Sequence, residues 1–350
     1  MVSKKAKYTL SILAISLFTF AYLASDHFTP KNGFISKQSC KQSNLQALEK
    51  CFYQYIQKTA DEKGYQAAIK QLDDSKANPS LAKLCHFAAH SLGKDAYTRF
   101  KSVSKAIKAG GLSCSNGYYH GIMESAGANS SSLDFVKEIN NYCLPLLQES
   151  VNHMDCAHGI GHASYINSNF DLTQANVICG NLNTSLDRLM CSSGVFMQWG
   201  IDYRNELIQP RNPENIRDLC LASSPNLPKE YKTACLENIL LALNIEDFKK
   251  LYSFENFRVW CDTLKDNKSM VDCYYGIGYA ANGLVDFDYN ILAKDVCGVS
   301  TSLPSQKCIH RMSQGYGAVL GSAKMISDIC DNLSTAQRSY CINVKKYELR

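Results

Sequence analysis

Apolar residues in this chain recur at the spacing of one helical face, and they do so in short stretches that resemble one another. "CSNGYYHGIMES" from Cys114, "CAHGIGHASY" from Cys156, "CSSGVFMQWG" from Cys191 and "CYYGIGYAANG" from Cys273 are each apolar along one helical stripe. Polar cap material precedes such stretches, as in "NTSLDRLMC", so each has a recognisable helix start. "FDLTQANVICGN" and "YNILAKDVCG" read as helices that a cysteine closes. Alternation of Val, Ile and Thr over strand length is almost absent. The pattern predicts an all-α chain.

The cysteines divide that pattern into units. There are 16 of them, and short gaps between neighbours alternate with long ones. The short-gap pairs are Cys40–Cys51, Cys143–Cys156, Cys179–Cys191, Cys220–Cys235, Cys261–Cys273, Cys297–Cys308 and Cys330–Cys341, separated by 11 to 15 residues. Cys85 and Cys114 break the rule and are left to pair with each other. No Cys-x-x-Cys occurs, so the set reads as a disulfide framework rather than a zinc ribbon or a redox motif. From Cys114 to Cys341 the second members follow one another at 33 to 44 residues, the range of two-helix repeats. "CLENILLALN" and "CIHRMSQGYGAV" are degenerate copies. The expected architecture is a set of disulfide-stapled helical hairpins stacked as an α-solenoid. In repeat length and helix pairing it resembles Sel1-like, tetratricopeptide and HEAT-like arrays over about residues 40–345, although the Sel1-like and tetratricopeptide consensus residues do not line up along it.

Four copies carry glycine three residues after the cysteine: Gly117, Gly159, Gly194 and Gly276. A glycine kept inside a helical pattern, where it costs about 1 kcal/mol relative to alanine, points to close helix packing. Gly161 stands off that register, and a glycine there would also let a ligand approach the backbone.

Histidine is distributed unevenly. Apart from His27, the chain has His86, His90, His120, His153, His158, His162 and His310, and six of these seven fall between residues 86 and 162. His86/His90, His120/Glu124 and His158/His162 are three i, i+4 pairs in three successive units, each pair on one helix face. His120 and His162 share a register, six residues after their cysteines, so they should aim the same way. Imidazoles and a carboxylate converging from neighbouring helices are a transition-metal ligand set, with zinc, copper or iron the candidates. His86, His90, His120, His158, His162 and Glu124 are therefore the expected metal-site residues. The competing expectation is a structural polar network in which nearby tyrosines such as Tyr97, Tyr118, Tyr119 and Tyr165 supply the partners. No catalytic residue can be named.

Charge and termini set the context. The net charge is +5, and residues 1–26 account for +2 of it (Lys4, Lys5 and Lys7 against Asp26), too little to suggest nucleic acid. Residues 1–7 read as a short basic cytoplasmic tail, and 8–25, "YTLSILAISLFTFAYLAS", as a signal anchor or a cleaved signal peptide. Residues 26–39 form a linker to a helical-repeat domain over 40–345. Either reading of the N-terminus exports the chain to the oxidising compartment that disulfides require, periplasmic, lumenal or at the cell surface. The expected function is an exported, membrane-anchored repeat protein whose histidines bind a transition metal or use it in catalysis. The alternative is a protein-interaction scaffold with a metal-free histidine network, since solenoids present long surfaces to partners.

Overall fold

The computed structural model describes residues 45–338 apart from 77–78, 115, 205–215, 222–225, 243–253, 286–292, 299, 301, 321–332 and 336–337. The tail at 1–7, the apolar segment at 8–25, the linker at 26–39, Cys40, Cys330 and Cys341 lie outside the described residues.

The described residues form helices and no strand. In chain order these are α1 (Leu45–Lys63), α2 (Tyr65–Ser75), α3 (Pro79–Phe100), α4 (Val103–Ala109), α5 (Gly117–Asn129), α6 (Ser132–Tyr142), α7 (Ser150–Asn167) and α8 (Leu172–Cys179). They continue with α9 (Ser185–Arg204), α10 (Ile216–Leu221), α11 (Tyr231–Asn238), α12 (Phe254–Asp262), α13 (Asn267–Val285), α14 (Ala293–Cys297) and α15 (Leu303–Leu320). Several starts follow the sequence closely. Thr184 Oγ1 accepts the Asp187 amide at 3.0 Å ahead of α9, in the "NTSLDRLMC" stretch, and the Asp171 side chain accepts the Gln174 amide at 2.9 Å at the start of α8.

One set of helices packs in series, α3 on α5, α5 on α7, α7 on α9, then α9, α11, α13 and α15 in turn. Shorter helices such as α8, α12 and α14 sit beside them. α5 lies between α3 and α7. Ten of its thirteen residues are buried, including His120 and Glu124, so it is buried nearly all round rather than along one stripe.

Six cysteine pairs span the helix junctions with Cα–Cα separations of 5.2 to 5.8 Å: Cys85–Cys114, Cys143–Cys156, Cys179–Cys191, Cys220–Cys235, Cys261–Cys273 and Cys297–Cys308. In the five short-gap pairs the first cysteine stands at or near the end of one helix and the second lies inside the next. In Cys85–Cys114 the order is reversed, with Cys85 within α3 and Cys114 in the turn before α5. Cys51 is also disulfide-bonded, whereas Cys40 falls outside the described residues.

Glycine sets how closely the long helices approach. A methyl group on Gly161 would overlap the Cys191 carbonyl oxygen of α9 and come within 2.8 Å of the Gly194 Cα, while one on Gly194 would overlap the His158 carbonyl. Gly161 thus serves helix packing, which corrects the expectation that it opens the backbone to a ligand. Gly159, at the shared register, meets only the Met123 and His120 side chains and the His120 Cα, at 3.2 to 3.4 Å. Gly161→Ala should destabilise the protein by about 1–3 kcal/mol, the usual range for overpacking, and lower its thermal midpoint. Gly111→Ala, whose methyl would meet nothing nearer than 3.9 Å, should move the midpoint little. Equal midpoints for the two variants would contradict this account of α7 against α9.

Candidate metal centre

Three consecutive long helices each contribute one i, i+4 pair to a single cluster. His86 and His90 come from α3, His120 and Glu124 from α5, and His158 and His162 from α7. The five imidazoles form a continuous row. Ring centroids are 4.6 Å apart for His86–His90, 5.2 Å for His90–His120, 4.8 Å for His120–His162 and 5.1 Å for His158–His162. His120 and His162, which share a register, stack at 30°. His120, His158, His162 and Glu124 are buried, and His86 and His90 are partly exposed.

Hydrogen bonds on one side of three rings decide what the other side can do. The His86 Nδ1–H donates to the Cys114 carbonyl oxygen at 2.8 Å, and a carbonyl can only accept. The His90 Nδ1–H donates to Glu124 Oε1 at 2.9 Å, while Lys94 Nζ donates to Glu124 Oε2 at 2.8 Å. Burial alone would raise the Glu124 carboxyl, but the His90 hydrogen bond and the positive neighbours outweigh it and hold it at about 2, so Glu124 is an ionised acceptor. The Gln198 amide donates through Nε2 to Asp202 Oδ1 at 2.9 Å, which turns its Oε1 toward His162 Nδ1 at 2.8 Å. His162 must therefore donate from Nδ1. In a neutral imidazole only one nitrogen carries hydrogen, so His86 and His162, each donating from Nδ1, present a bare Nε2.

The bare nitrogens face inward. His86 Nε2 and His90 Nε2 stand 3.1 Å apart, and His162 Nε2 and His120 Nδ1 are buried with no hydrogen-bond partner. With His86 Nε2 bare, that separation suits either a hydrogen on His90 Nε2 donated to it or a cation held between the two nitrogens. Two nitrogens each about 2.0–2.1 Å from one tetrahedral zinc ion stand about 3.3 Å apart, close to the separation seen here. One nitrogen from each of His86, His90 and His120 lies within 4.8 Å of the other two, and the same is true of His120, His158 and His162. Burial, reinforced by neighbouring histidines, pushes His86 down to about 4 and holds His120 and His158 far below the ordinary imidazole value. Burial also lowers His162, against the pull of Glu124. These four rings are thus neutral at neutral pH, the protonation state a metal requires.

No family model, curated protein or solved structure matches this chain.

The structure brings all six expected residues together but gives Glu124 a distinct position. Both of its oxygens are engaged, by His90 and by Lys94, so Glu124 orients the His90 ring rather than offering a free oxygen. His153 lies apart and joins α7 to α9, with Nε2 at 2.9 Å from Asp187 Oδ1. Tyr118 is not a partner of the histidines, because its hydroxyl donates to the Ala106 carbonyl at 2.7 Å. Gln198 and Asp202 are missing from the residues the sequence singles out. Their signal is present all the same: they form another i, i+4 pair, on the next long helix of the series.

Proposed function

We propose that this chain is an exported, membrane-anchored helical-repeat protein whose histidine row binds a transition metal, zinc, copper or iron. One observation carries the reading. Outward hydrogen bonds leave the inward nitrogens of His86 and His162 without hydrogen, His162 Nε2 and His120 Nδ1 are buried without a hydrogen-bond partner, and His86 Nε2 and His90 Nε2 face each other at 3.1 Å. The described cysteines are disulfide-bonded, so the donor set is nitrogen-rich and favours these metals over calcium or magnesium. The serial packing of the long helices supports a solenoid over residues 40–345. The disulfides support an oxidising compartment outside the cytoplasm. Export and anchoring rest on the apolar segment at 8–25, beyond the described residues; among the described residues no helix is long and apolar enough to cross a membrane.

The test is metal analysis of protein purified with its disulfides intact, alongside His162→Ala. The expected result is bound transition metal in the parent and at least a severalfold loss in the variant, with helix content by circular dichroism unchanged. A parent free of metal, and unable to take any up after chelation and reloading, would refute the reading.

A second reading has its own support. The bonds from His162 through Gln198 to Asp202, and from His90 through Glu124 to Lys94, are also what a structural network needs, with a single proton held between His86 and His90. The chain would then be a scaffold offering the solenoid surface to a protein partner. That reading predicts no metal in the parent and a loss of stability in His162→Ala, because Gln198 Oε1 loses its donor.

A further inference from the structure

The neighbouring nitrogens of the cluster fall into two sets rather than one. His86, His90 and His120 form one set of neighbouring nitrogens, and His120, His158 and His162 form another, with His120 common to both. His86 and His90 belong to α3, and His158 and His162 to α7, with α5 lying between and supplying the shared ring. A four-coordinate ion bound to the first set leaves His158 and His162 without a metal, and one bound to the second leaves His86 and His90. Outer hydrogen bonds hold members of both sets in place. Glu124 and the Cys114 carbonyl orient His90 and His86, and Gln198, itself held by Asp202, orients His162. A single-ion site would not need this support at both ends.

We infer that the cluster is a two-metal centre: one ion held by His86, His90 and His120, the second by His120, His158 and His162, with the His120 ring bridging them through its two nitrogens. The inference rests on the metal-binding reading above and adds its stoichiometry. Bridging requires the His120 ring to surrender its remaining N–H proton to solvent when the second ion binds, leaving an imidazolate that donates an electron pair to each ion. Zinc and copper are the suitable ions, being divalent, at home with imidazole and borderline in softness.

The experiment uses the whole disulfide-bonded chain, stripped by chelation at neutral pH and reloaded with Zn(II), and separately with Cu(II). Bound metal is counted after desalting. The expected count is two per chain, with the Cu(II) form showing a weakened or coupled electron-spin resonance signal rather than that of isolated ions. His86→Gln and His158→Gln should each retain one ion, and the double variant none, all with parental helix content. One ion per parent chain overturns the two-metal inference while leaving the metal-binding reading intact. No ion overturns both. Loss of all metal from either single variant, or two magnetically isolated Cu(II) ions, overturns the shared His120.

Discussion

Reducing the disulfides is expected to unfold this protein at neutral pH and 25 °C. Chain entropy gives the reason. Each of five described bonds closes a loop of 11 to 15 residues, and Cys85–Cys114 closes one of 29. A 15-residue loop is worth about 3 kcal/mol of constraint on the unfolded chain. Folded proteins as a whole hold only about 5–15 kcal/mol over their unfolded states, so losing three or four such bonds is enough. The bonds also tie down short elements such as α8, whose eight residues are too few to hold as a helix without support. The measurement is far-ultraviolet circular dichroism during titration with a phosphine reductant. Loss of most helical signal is expected, beginning at the disulfides that tie short helices to long ones. Unchanged helicity and thermal midpoint after complete reduction would show that packing alone sustains the fold.

Much of this organisation is legible in the amino-acid sequence, and the reasons differ from feature to feature. The cysteine spacing is legible because each short-gap bond is local: the helix end carrying the first cysteine and the helix start carrying the second are adjacent in sequence. The i, i+4 histidine pairs are legible for the same reason, since helical geometry alone puts His158 and His162 on one face. What stays hidden depends on which helix neighbours which, and how closely. Gln198 reaches His162 across 36 positions of sequence, and Asn116 reaches Asp155 across 39. Nothing local around Asn116 announces its contact, and the i, i+4 pair Gln198/Asp202 does not say which ring it meets. The role of Gly161 is hidden in the same way. Its register relative to Cys156 differs from that of Gly159, yet it is Gly161 that meets α9, because the contact line between two helices is set by the facing surface as well as by the repeat. Spacing pairs Glu124 with His120 on its own helix, but its hydrogen-bond partner among the histidines is His90 on the neighbouring one.

Acidification should destabilise the metal-free protein steeply between about pH 6.5 and pH 4. An unfolded chain protonates its histidines near 6.5, whereas burial holds His86 at about 4 in the folded state and keeps His120, His158 and His162 below their ordinary value. Between those limits the unfolded chain binds more protons than the folded one, so stability falls as pH falls. Each unit of displacement corresponds to about 1.4 kcal/mol, so His86 alone accounts for about 3 kcal/mol that is present at pH 7 and gone below pH 4. Glu124 acts in the same direction but in a lower window: its carboxyl is held at about 2, so its contribution is complete above the ordinary carboxylate range and disappears as pH falls toward 2. Denaturant midpoints at pH 7.5, 5.5 and 4.5 follow the histidine window, and one at pH 3 reaches that of Glu124. His86→Gln, which removes one titrating ring while keeping a donor for the Cys114 carbonyl, should show a shallower decline over the upper window. A bound metal raises the folded-state stability by mass action at neutral pH and is lost as protons compete for the nitrogens, so the metal-loaded protein should show the steepest decline of the three. Midpoints that do not change between pH 7.5 and 4.5 would mean that the imidazoles reach water in the folded state, and the buried row of neutral histidines would have to be abandoned.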